Sequence, residues 1–403
     1  MKCLKWGKLA VVFLTIFTLI TLIMLIYTEP SFNVSTVTTN VENTANVEKF
    51  TITDLIVSNK TSTQWDICER LSNVLNVSCV DCVNKDVRNV VNNLIDVPLV
   101  IGKNDSFFTP GKEIVQEFVN EILITPRTCT GDCPYILALQ LSVADRKQER
   151  DAVRETWGSV SRHQTWPRRH VRAGVKVVFV VGGAEENSSL SATHRFNQTL
   201  EELKKESEIH GDVLFLRMTD TYRNITLKLV SALKWVTEFC PLVKFVLKVD
   251  FDTYVNVPLL VDTVLALEKR LEFSILGYIY RLNTNVVHRS GRWAVDRALY
   301  PLDYYPYYAS GCAYLISSQA LNKLIQDVPY VRVFPVEDAF ITGVMRNVIK
   351  CNLFSMEAYF THYNDRLPWG QCELQSDRKI VSTGVDVDTL KRMWSSLENN
   401  KCN

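Results

Sequence analysis

Apolar and polar positions along the chain form blocks that predict strands and helices in alternation. Apolar runs rich in β-branched and aromatic residues indicate buried strands, and apolar residues repeated at helical spacing indicate helices between them. The strands are predicted at 135–143, 175–181, 212–216 and 244–249, and the helices near 150–157, 199–208 and 226–240. This alternation predicts an α/β domain with a mostly parallel sheet. Ligands of such sheets bind beyond the carboxyl ends of the strands.

The first apolar stretch, Leu9–Tyr27, has a different character, because it carries no charge and is long enough to cross a bilayer. Lys2, Lys5 and Lys8 precede it, and positive charge on that flank keeps the N-terminus in the cytoplasm. A cleaved signal peptide is the alternative, but its apolar core would be shorter, and no small-x-small cleavage site follows here. We therefore predict a type II signal anchor with the rest of the chain in the lumen.

Residues 28–127 separate this anchor from the α/β domain and are predicted to form a lumenal stem. Up to about residue 64 the stem is rich in Ser, Thr, Asn and Glu without a sustained period, which is typical of a stalk. From about residue 65 it is predicted to be partly ordered, because two sets of apolar residues each fit one helical face. The sets are Val87, Val90, Val91 and Leu94, and then Ile114, Phe118 and Ile122. The predicted organisation is a cytoplasmic tail over 1–8, an anchor over 9–27, a stem over 28–127 and a globular domain over 128–403.

Composition and cysteine usage agree with a lumenal globular protein. Of the 403 residues 47% are apolar, which is typical of a domain with a core, and the net charge of +1 gives no reason to expect nucleic acid as a partner. Ten of the 11 cysteines follow the anchor, an even number that fits disulfides in an oxidising compartment. Cys79 and Cys82 are also spaced for zinc or a redox pair. No second pair of ligands completes a zinc site, so a structural disulfide is expected.

Seven Asn-x-Ser/Thr sequons follow the anchor, as a protein of the secretory pathway permits. Six of them are predicted glycosylation sites: Asn33, Asn59, Asn76, Asn104, Asn187 and Asn197. The seventh, Asn224, lies in a turn that leads into a helix. We expect no glycan there if that turn packs in the fold.

The strand predicted at 244–249 ends in two acidic residues, Asp250 and Asp252. Side chains at positions i and i+2 of an extended chain point to the same face, so these two carboxylates should leave the strand side by side. Paired carboxylates are suitable ligands for Mg²⁺ or Mn²⁺ that carries a phosphate-bearing ligand. The alternative is an ordinary acidic turn, because turns that follow strands are often acidic.

Basic residues in two predicted helices are the next candidates. Arg150 and Arg154 are four residues apart and therefore present one cationic helix face. That face fits a surface salt-bridge helix and a contact with a nucleotide diphosphate equally well, and the spacing leaves both open. Lys228 lies in the first turns of the helix that follows Asp220.

Two later segments each have a structural and a functional interpretation. The segment Tyr304–Gly311 is rich in aromatic residues, which stack on sugar rings, although a packed tyrosine loop is the commoner explanation. Glu337 and Asp338 precede an apolar helix, where Asp338 fits an N-cap. The same carboxylate in a dry pocket also fits a general base that takes a proton from an attacking hydroxyl.

Taken in order, these segments resemble the β-1,3-galactosyltransferase family (glycosyltransferase family 31), type II Golgi β-1,3-glycosyltransferases with a GT-A-type fold. The resemblance covers roughly Cys129 to Trp394. Five motifs carry it: Arg150, Arg154, Thr156 and Trp157; Asp220, Tyr222, Asn224, Thr226 and Lys228; Asp250 and Asp252; Tyr305, Pro306, Tyr308 and Gly311; Glu337 and Asp338. Each motif alone is unspecific, but five motifs in this order behind a type II anchor are strong evidence for the resemblance.

The resemblance implies an inverting transfer of a hexosyl group, with galactose expected, from a UDP-sugar to the 3-hydroxyl of an acceptor glycan on protein or lipid. It also implies a Golgi membrane location with a lumenal catalytic domain, and Mn²⁺ as the cofactor. Asp250 and Asp252 would bind the metal, and Asp338 would be the catalytic base with Glu337 beside it. The other implied site residues are Arg150, Arg154 and Lys228 for the donor, and Trp293, Tyr305, Tyr308 and Gly311 for the acceptor.

The sequence departs from the family pattern in several places. Phe251 replaces the middle aspartate of the metal motif, Tyr307 replaces a proline, and Ala309 replaces a residue that is often cysteine. The stretch Lys379–Gly384 lacks a histidine that family members commonly carry as a metal ligand, and His362 is the substitute candidate. N-acetylglucosaminyl or N-acetylgalactosaminyl transfer is the alternative within the family. An inactive glycan-binding or chaperone-like homologue and an adhesion ectodomain are the alternatives from other classes.

Overall fold

The computed structural model describes residues 85–99, 108–118, 121–131, 133–167, 169–183, 190–362 and 378–399. These residues belong to one compact unit, Val83–Asn403. No helix in these ranges is long and apolar enough to cross a membrane. The predicted tail, the anchor Leu9–Tyr27, the stalk and the sequons at Asn33, Asn59, Asn76, Asn104 and Asn187 lie outside the described residues.

Strands and helices alternate through most of the unit. The strands are β1 (Ile95–Val97), β2 (Ile122–Ile124), β3 (Ile136–Leu141), β4 (Thr165–Trp166), β5 (Arg169–His170), β6 (Val175–Gly183), β7 (Val213–Arg217), β8 (Phe245–Val249), β9 (Thr253–Val255), β10 (Ser274–Tyr280), β11 (Tyr308–Ser317), β12 (Asn352–Ser355), β13 (Phe360–His362) and β14 (Val381–Thr383). The α-helices are α1 (Lys85–Asn92), α2 (Lys147–Glu155), α3 (Val160–His163), α4 (Leu190–His210), α5 (Ile225–Phe239), α6 (Val257–Leu267), α7 (Ser318–Asp327), α8 (Arg346–Ile349) and α9 (Val387–Glu398). A π-helix, Ala339–Met345, leads directly into α8.

The main sheet has nine strands in the order β1-β12-β10-β11-β8-β3-β6-β7-β2. The central strands β8, β3, β6 and β7 are parallel, whereas β11 runs antiparallel between β8 and β10. The sheet is therefore mixed, and the prediction of a mostly parallel sheet is wrong for its outer half. The physical reason is the connection, because β10 and β11 are joined without a crossover helix and so pair as antiparallel neighbours.

The predicted central strands and helices are confirmed. β3, β6, β7 and β8 coincide with the four predicted apolar runs, and α2, α4 and α5 with the three predicted helices. Every side chain of β3 and of β8 is buried, as expected for strands in the middle of a sheet that is covered on both faces. Two small sheets complete the described structure: a three-stranded sheet in the order β13-β14-β9 and a two-stranded sheet of β4 and β5.

The sheet begins before residue 128, where the globular domain was predicted to start. β1 pairs with β12 and β2 pairs with β7, so both outer strands of the main sheet come from the predicted stem. The first predicted helix is confirmed as α1, with Val87 and Val90 fully buried. The second is wrong: 108–118 is irregular, Ile122 lies in a strand, and Ile114 is exposed.

One disulfide lies in the described residues and joins Cys129 to Cys240. It connects the segment before β3 with the residue that ends α5. Cys133, Cys312 and Cys351 form no disulfide within the described part of the chain. The expectation that the ten cysteines after the anchor form disulfides therefore does not extend to these three.

Candidate functional site

Two carboxylates stand at the point where β8 ends, at the carboxyl edge of the parallel strands. The backbone N–H of Asp250 donates to the Cys312 carbonyl (3.0 Å), and that of Val385 donates to the Asp252 carbonyl (2.8 Å). From the end of β3, Gln140 Nε2 donates to the Asp250 carbonyl (3.3 Å). The turn is thus fixed by three neighbouring segments, and both carboxylates remain partly exposed.

The two carboxylates are close enough to influence each other. Burial raises the pKa of Asp252, the charge of Asp250 raises it further, and Lys248 and Arg146 oppose the increase. A divalent cation between the carboxylates would relieve this repulsion. Asp250 Oδ2 accepts no hydrogen bond from the described residues, so it is available as a ligand. The pair therefore fits a Mg²⁺ or Mn²⁺ ion whose other ligands come from phosphate and water.

No third His, Cys, Asp or Glu of the described chain joins this pair in a metal-binding group. The substitute candidate His362 lies on β13, which pairs with β14, and β14 pairs with β9 directly after Asp252. In β14 the Thr383 hydroxyl accepts a hydrogen bond from the Thr253 hydroxyl (3.3 Å). The late stretch is therefore held beside Asp252 by the pairing of β14 with β9 and by this hydroxyl contact.

Lys248, inside β8, connects Asp250 with a second acidic pair, which consists of Glu337 and Asp338. Its side chain is buried, and Nζ lies 2.6 Å from Asp250 Oδ1 and 3.2 Å from Glu337 Oε2. Nζ also donates to the Gly311 carbonyl. Burial lowers the pKa of Lys248, but the negative charges of Asp250 and Glu337 have the larger effect, so the pKa is raised overall. One buried cation thus holds carboxylates from two separate motifs in a single network.

The two carboxylates of the second pair have different surroundings. Glu337 is buried, its Oε1 accepts from the Tyr314 hydroxyl, and burial raises its pKa to about 7 although Lys248 opposes this. Asp338 accepts only backbone N–H groups among the described residues, from Gly311 to Oδ2 (3.0 Å) and from Ala339 to Oδ1 (2.8 Å). Burial also raises the pKa of Asp338, against Lys248 and these two hydrogen bonds. Of the two carboxylates, Asp338 therefore keeps more acceptor capacity for a further hydrogen-bond donor.

Gly311 allows this close contact. A Cβ atom at Gly311 would lie 3.2 Å from Asp338 Oδ2, tighter than most real Cβ contacts. The glycine therefore lets its backbone N–H reach the Asp338 carboxylate, and its carbonyl reaches Lys248 at the same time. Gly311 was predicted to bind the acceptor. In the structure it instead positions the Asp338 carboxylate.

Four tyrosines lie close to Asp338: Tyr222, Tyr280, Tyr305 and Tyr308. Burial raises the pKa of each of them, and the charge of Asp338 adds to the increase. Tyr308 accepts a hydrogen bond from Asn285 Nδ2 (2.9 Å) and is only 7% exposed, and Tyr305 is 4% exposed. The two tyrosines predicted to stack on an acceptor sugar are therefore packed in the loop, and the structure favours the packing interpretation for them.

Trp293 is the predicted acceptor residue that the structure leaves accessible. Its side chain is 53% exposed, and it lies close enough to Tyr222 to oppose the rise in the pKa of that tyrosine. The ring therefore stands at the rim of the tyrosine cluster beside Asp338. An exposed aromatic face in this position suits stacking on the apolar face of a sugar ring.

A cavity of about 250 Å³ opens at the carboxyl ends of β3 and β6. Its lining includes Val143 and Ala144 after β3, Gly182 and Gly183 at the end of β6, and Asp220. Gly182 N–H donates to Asp220 Oδ2 (3.0 Å), and a Cβ at Gly182 would lie 3.0 Å from the Asp220 side chain. Such a pocket, with backbone close to the surface at a carboxyl edge, is suited to a nucleotide.

Comparisons with known proteins identify the family of this chain. A family model described as Galactosyltransferase matches residues 148–357, slightly more than half of the chain. The chain belongs to the galactosyltransferase family. Beta-1,3-galactosyltransferase 5 of Homo sapiens is 28% identical over 319 residues, which cover 75% of this chain and 94% of the relative.

Two further relatives carry different donors in their names. UDP-GlcNAc:betaGal beta-1,3-N-acetylglucosaminyltransferase 9 of Homo sapiens is 34% identical over 222 residues, 54% of each chain. UDP-GalNAc:beta-1,3-N-acetylgalactosaminyltransferase 1 of Homo sapiens is 28% identical over 281 residues, 68% of this chain and 78% of the relative. Membership of the galactosyltransferase family therefore leaves the sugar open.

In this family member, Arg150 does not face a ligand. It is 1% exposed, and its five N–H groups are all used, by Glu206, by the Ser142 hydroxyl, and by the carbonyls of Val143 and Ala144. The assignment of Arg150 as a donor-binding residue is therefore corrected. Its guanidinium instead holds the loop after β3, which lines the 250 Å³ cavity.

Arg154 and Lys228 are also buried and committed to protein partners. Arg154 pairs with Asp151, Glu206 and Asp212, each at 2.7 Å. Lys228 donates to Asp220 Oδ2 (2.7 Å) and to the Ser142 carbonyl. The predicted cationic face is present, but it meets Glu206 of α4 and Asp212, which directly precedes β7, instead of a diphosphate. Of the two, only Lys228 reaches the cavity, through Asp220.

Sequence reasoning missed Lys248, the residue that organises the site. The signal was present, because Lys248 is a charged residue within an otherwise apolar strand, and a buried lysine needs a carboxylate partner. Its partners Asp250 and Glu337 were both candidates, but nothing in the spacing placed them together. Tyr280, which also lies near Asp338, belongs to no motif in the sequence and could not have been predicted to be there.

Removing the charge of Lys248 is expected to destabilise the domain by about 3–5 kcal/mol, because Glu337 would be left buried without its cation. Chemical denaturation of Lys248→Met measures this loss. Lys323→Met is the matched control: this exposed lysine pairs with Asp327 (2.8 Å) one helical turn away, and its loss should cost less than about 1 kcal/mol. Equal stability of the two variants would contradict the role of Lys248.

The turn at Asn224 packs in the fold, which is the condition under which we expected this sequon to carry no glycan. Asn224 Nδ2 donates to the Thr219 carbonyl (2.9 Å), and the Thr226 hydroxyl is buried and donates to the Phe334 carbonyl (2.8 Å). We therefore expect mass spectrometry of glycopeptides to find Asn224 unmodified and Asn197, which is exposed on α4, glycosylated. An occupied Asn224 in folded protein would refute this packing.

Proposed function

We propose that the protein is an inverting β-1,3-glycosyltransferase with a GT-A-type fold, anchored in the Golgi membrane with its catalytic domain in the lumen. The proposed reaction transfers galactose from UDP-galactose to the 3-hydroxyl of an acceptor glycan on protein or lipid. The observation that carries the proposal is the network in which Lys248 joins the metal-type carboxylate Asp250 to the Glu337-Asp338 pair. It brings a phosphate-binding edge and a basic carboxylate into one site.

Mn²⁺ is the proposed cofactor, and Asp250 and Asp252 are the residues that would hold it. When bound, the metal would neutralise charge that develops on the departing UDP. The nucleotide would lie in the cavity beside Asp220, with its diphosphate directed toward the two carboxylates. Arg150 and Lys228 act indirectly in this proposal, because they hold the loop at Ser142 that forms one wall.

Asp338 performs the proton transfer in the proposed reaction. Its carboxylate takes the proton of the acceptor 3-hydroxyl while that oxygen forms a bond to the anomeric carbon of the donor. The bond from this carbon to the phosphate oxygen breaks on the opposite face, and UDP leaves with the electron pair. One displacement of this kind inverts the configuration. The raised pKa of Asp338 makes its carboxylate a stronger base than an exposed aspartate.

Transfer of N-acetylglucosamine or N-acetylgalactosamine is the second candidate, because relatives named for those donors match the chain as well as the galactosyltransferases do. A donor screen separates the candidates. The full chain, purified from membranes in detergent with Mn²⁺, is incubated with each UDP-sugar and a mixture of glycan acceptors. We expect UDP release to depend on acceptor and to be fastest with UDP-galactose. Faster release from either N-acetylhexosamine donor would change the proposed sugar, and no release from any donor would contradict a transferase.

A further inference from the structure

An arginine is stacked on the residue that separates the two metal-type carboxylates. The guanidinium carbon of Arg146 lies 4.2 Å from the centroid of the Phe251 ring. Arg146 ends the loop after β3, and Phe251 lies between Asp250 and Asp252 in the turn after β8. β3 and β8 are adjacent parallel strands, so both segments stand at the same carboxyl edge of the sheet.

The stacking orders this cation without neutralising it. The Arg146 side chain is 41% exposed and makes one ion pair, from NH1 to Glu149 Oε1 (3.0 Å). Its Nε and NH2 groups donate to no acceptor among the described residues. Phe251, itself 40% exposed, offers only a ring face. A cation over an aromatic face keeps its charge and its in-plane N–H groups for another partner.

The identity of residue 251 decides what Arg146 can bind. An aspartate at this position would attract the guanidinium and add a third negative charge to the turn. Phe251 holds the guanidinium by its ring face without adding a negative charge, so the edge of the sheet keeps a positive group beside Asp250 and Asp252.

The position of Arg146 points to the diphosphate part of the donor. Val143 and Ala144 line the cavity in which the nucleotide is proposed to bind, and Arg146 follows them by two residues in the same loop. From there the guanidinium extends to the turn between the carboxylates. A ligand that places its nucleoside in the cavity and its phosphates at the acidic pair must therefore pass Arg146. On the acceptor side, Glu337 pairs with Lys248, and Asp338 and Trp293 both lie close to Tyr222.

We propose that Arg146, held by stacking on Phe251, binds the diphosphate of the donor and is a further specificity residue of this site. The inference rests on the proposed function, since it assumes a nucleoside diphosphate donor. Planar N–H groups of arginine match phosphate oxygens, and such charge-assisted hydrogen bonds are about twice as strong as neutral ones. Arg146 thus takes the role that the sequence had suggested for Arg150 and Arg154.

The test is calorimetric binding of UDP and of uridine to the full chain in detergent with Mn²⁺. Arg146→Gln should weaken UDP binding by about tenfold, because it removes a charged hydrogen-bond donor. Its uridine binding should change less than about twofold, because uridine lacks the phosphates. Phe251→Asp should weaken UDP binding to at least the same extent. Phe251→Tyr, which keeps a ring face, should retain the affinity of the parent.

Arg270→Gln is the matched control. Arg270 is 40% exposed, pairs with Asp96 (2.8 Å) and stacks on Phe354 at 5.0 Å, but it lies outside the site. This variant should bind UDP as the parent does. If the parent binds UDP with Mn²⁺ and Arg146→Gln binds it equally well, the role of Arg146 is refuted and the proposed function stands. If the parent binds no UDP at all, both proposals fail.

Discussion

Asp338→Asn is expected to lower kcat by about 10²–10⁴, because an amide cannot accept the proton of the attacking hydroxyl. Affinity for the UDP-sugar should stay nearly constant, since a base that acts in the transition state contributes little to donor binding. Asparagine keeps the size of the side chain and an oxygen that can accept the Ala339 N–H. Steady-state kinetics and calorimetric donor binding on the same preparation separate the two effects.

The competing account makes Asp338 only the N-cap of the π-helix, and its Oδ1 does accept the Ala339 N–H (2.8 Å). Loss of a cap costs roughly 1 kcal/mol of stability and leaves turnover almost unchanged. Asp386→Asn is the matched control, because Asp386 is also an aspartate N-cap and accepts from the Thr389 N–H of α9 (2.7 Å). If Asp338→Asn melts earlier but transfers sugar at the parent rate, the base lies elsewhere.

Asp252→Ala is expected to abolish Mn²⁺-dependent binding of UDP while the domain stays folded. Asp252 is a partly exposed residue at a strand end, so its loss removes a ligand and no core packing. Because no third His, Cys, Asp or Glu of the described residues joins Asp250 and Asp252 as a ligand, Asp250 alone cannot hold the ion against water. The change should appear in calorimetric titrations of UDP with and without a chelator.

Asp262→Ala provides the matched control for the metal prediction. Asp262 pairs with Arg172 (2.7 Å) on α6, away from the carboxyl edge of the sheet. This variant should retain Mn²⁺-dependent UDP binding. If Asp252→Ala bound UDP with the affinity of the parent, with and without chelator, the proposed metal-binding role of Asp252 would be contradicted.

The central sheet was predictable because its strands are long apolar runs, each followed by a helix. The flanking strands β1 and β2 were not, since each has three residues, too few to show a period. Their partners β12 and β7 lie far away in the sequence, and only tertiary contacts make these segments strands. The parallel prediction failed at β11 for a related reason, because the connection from β10 contains no helix that could have signalled its direction.

The site was predictable in its acidic residues and much less so in its basic ones. Asp250, Asp252 and Asp338 are marked by their place after a strand or before a helix. Spacing put Arg150 and Arg154 on one face but could not show that Glu206 meets that face from α4. Arg146 is the reverse case, a residue without a motif that only the fold places over Phe251.

The configuration and linkage of the product test the central claim most directly. The full chain is incubated with UDP-galactose, Mn²⁺ and the acceptor that the donor screen selects, and the product is examined by NMR. A single displacement with Asp338 as base predicts a β-anomeric proton for the new sugar and attachment at the 3-hydroxyl of the acceptor. An α-anomeric product would contradict the inverting mechanism, and attachment at another hydroxyl would contradict the β-1,3 assignment.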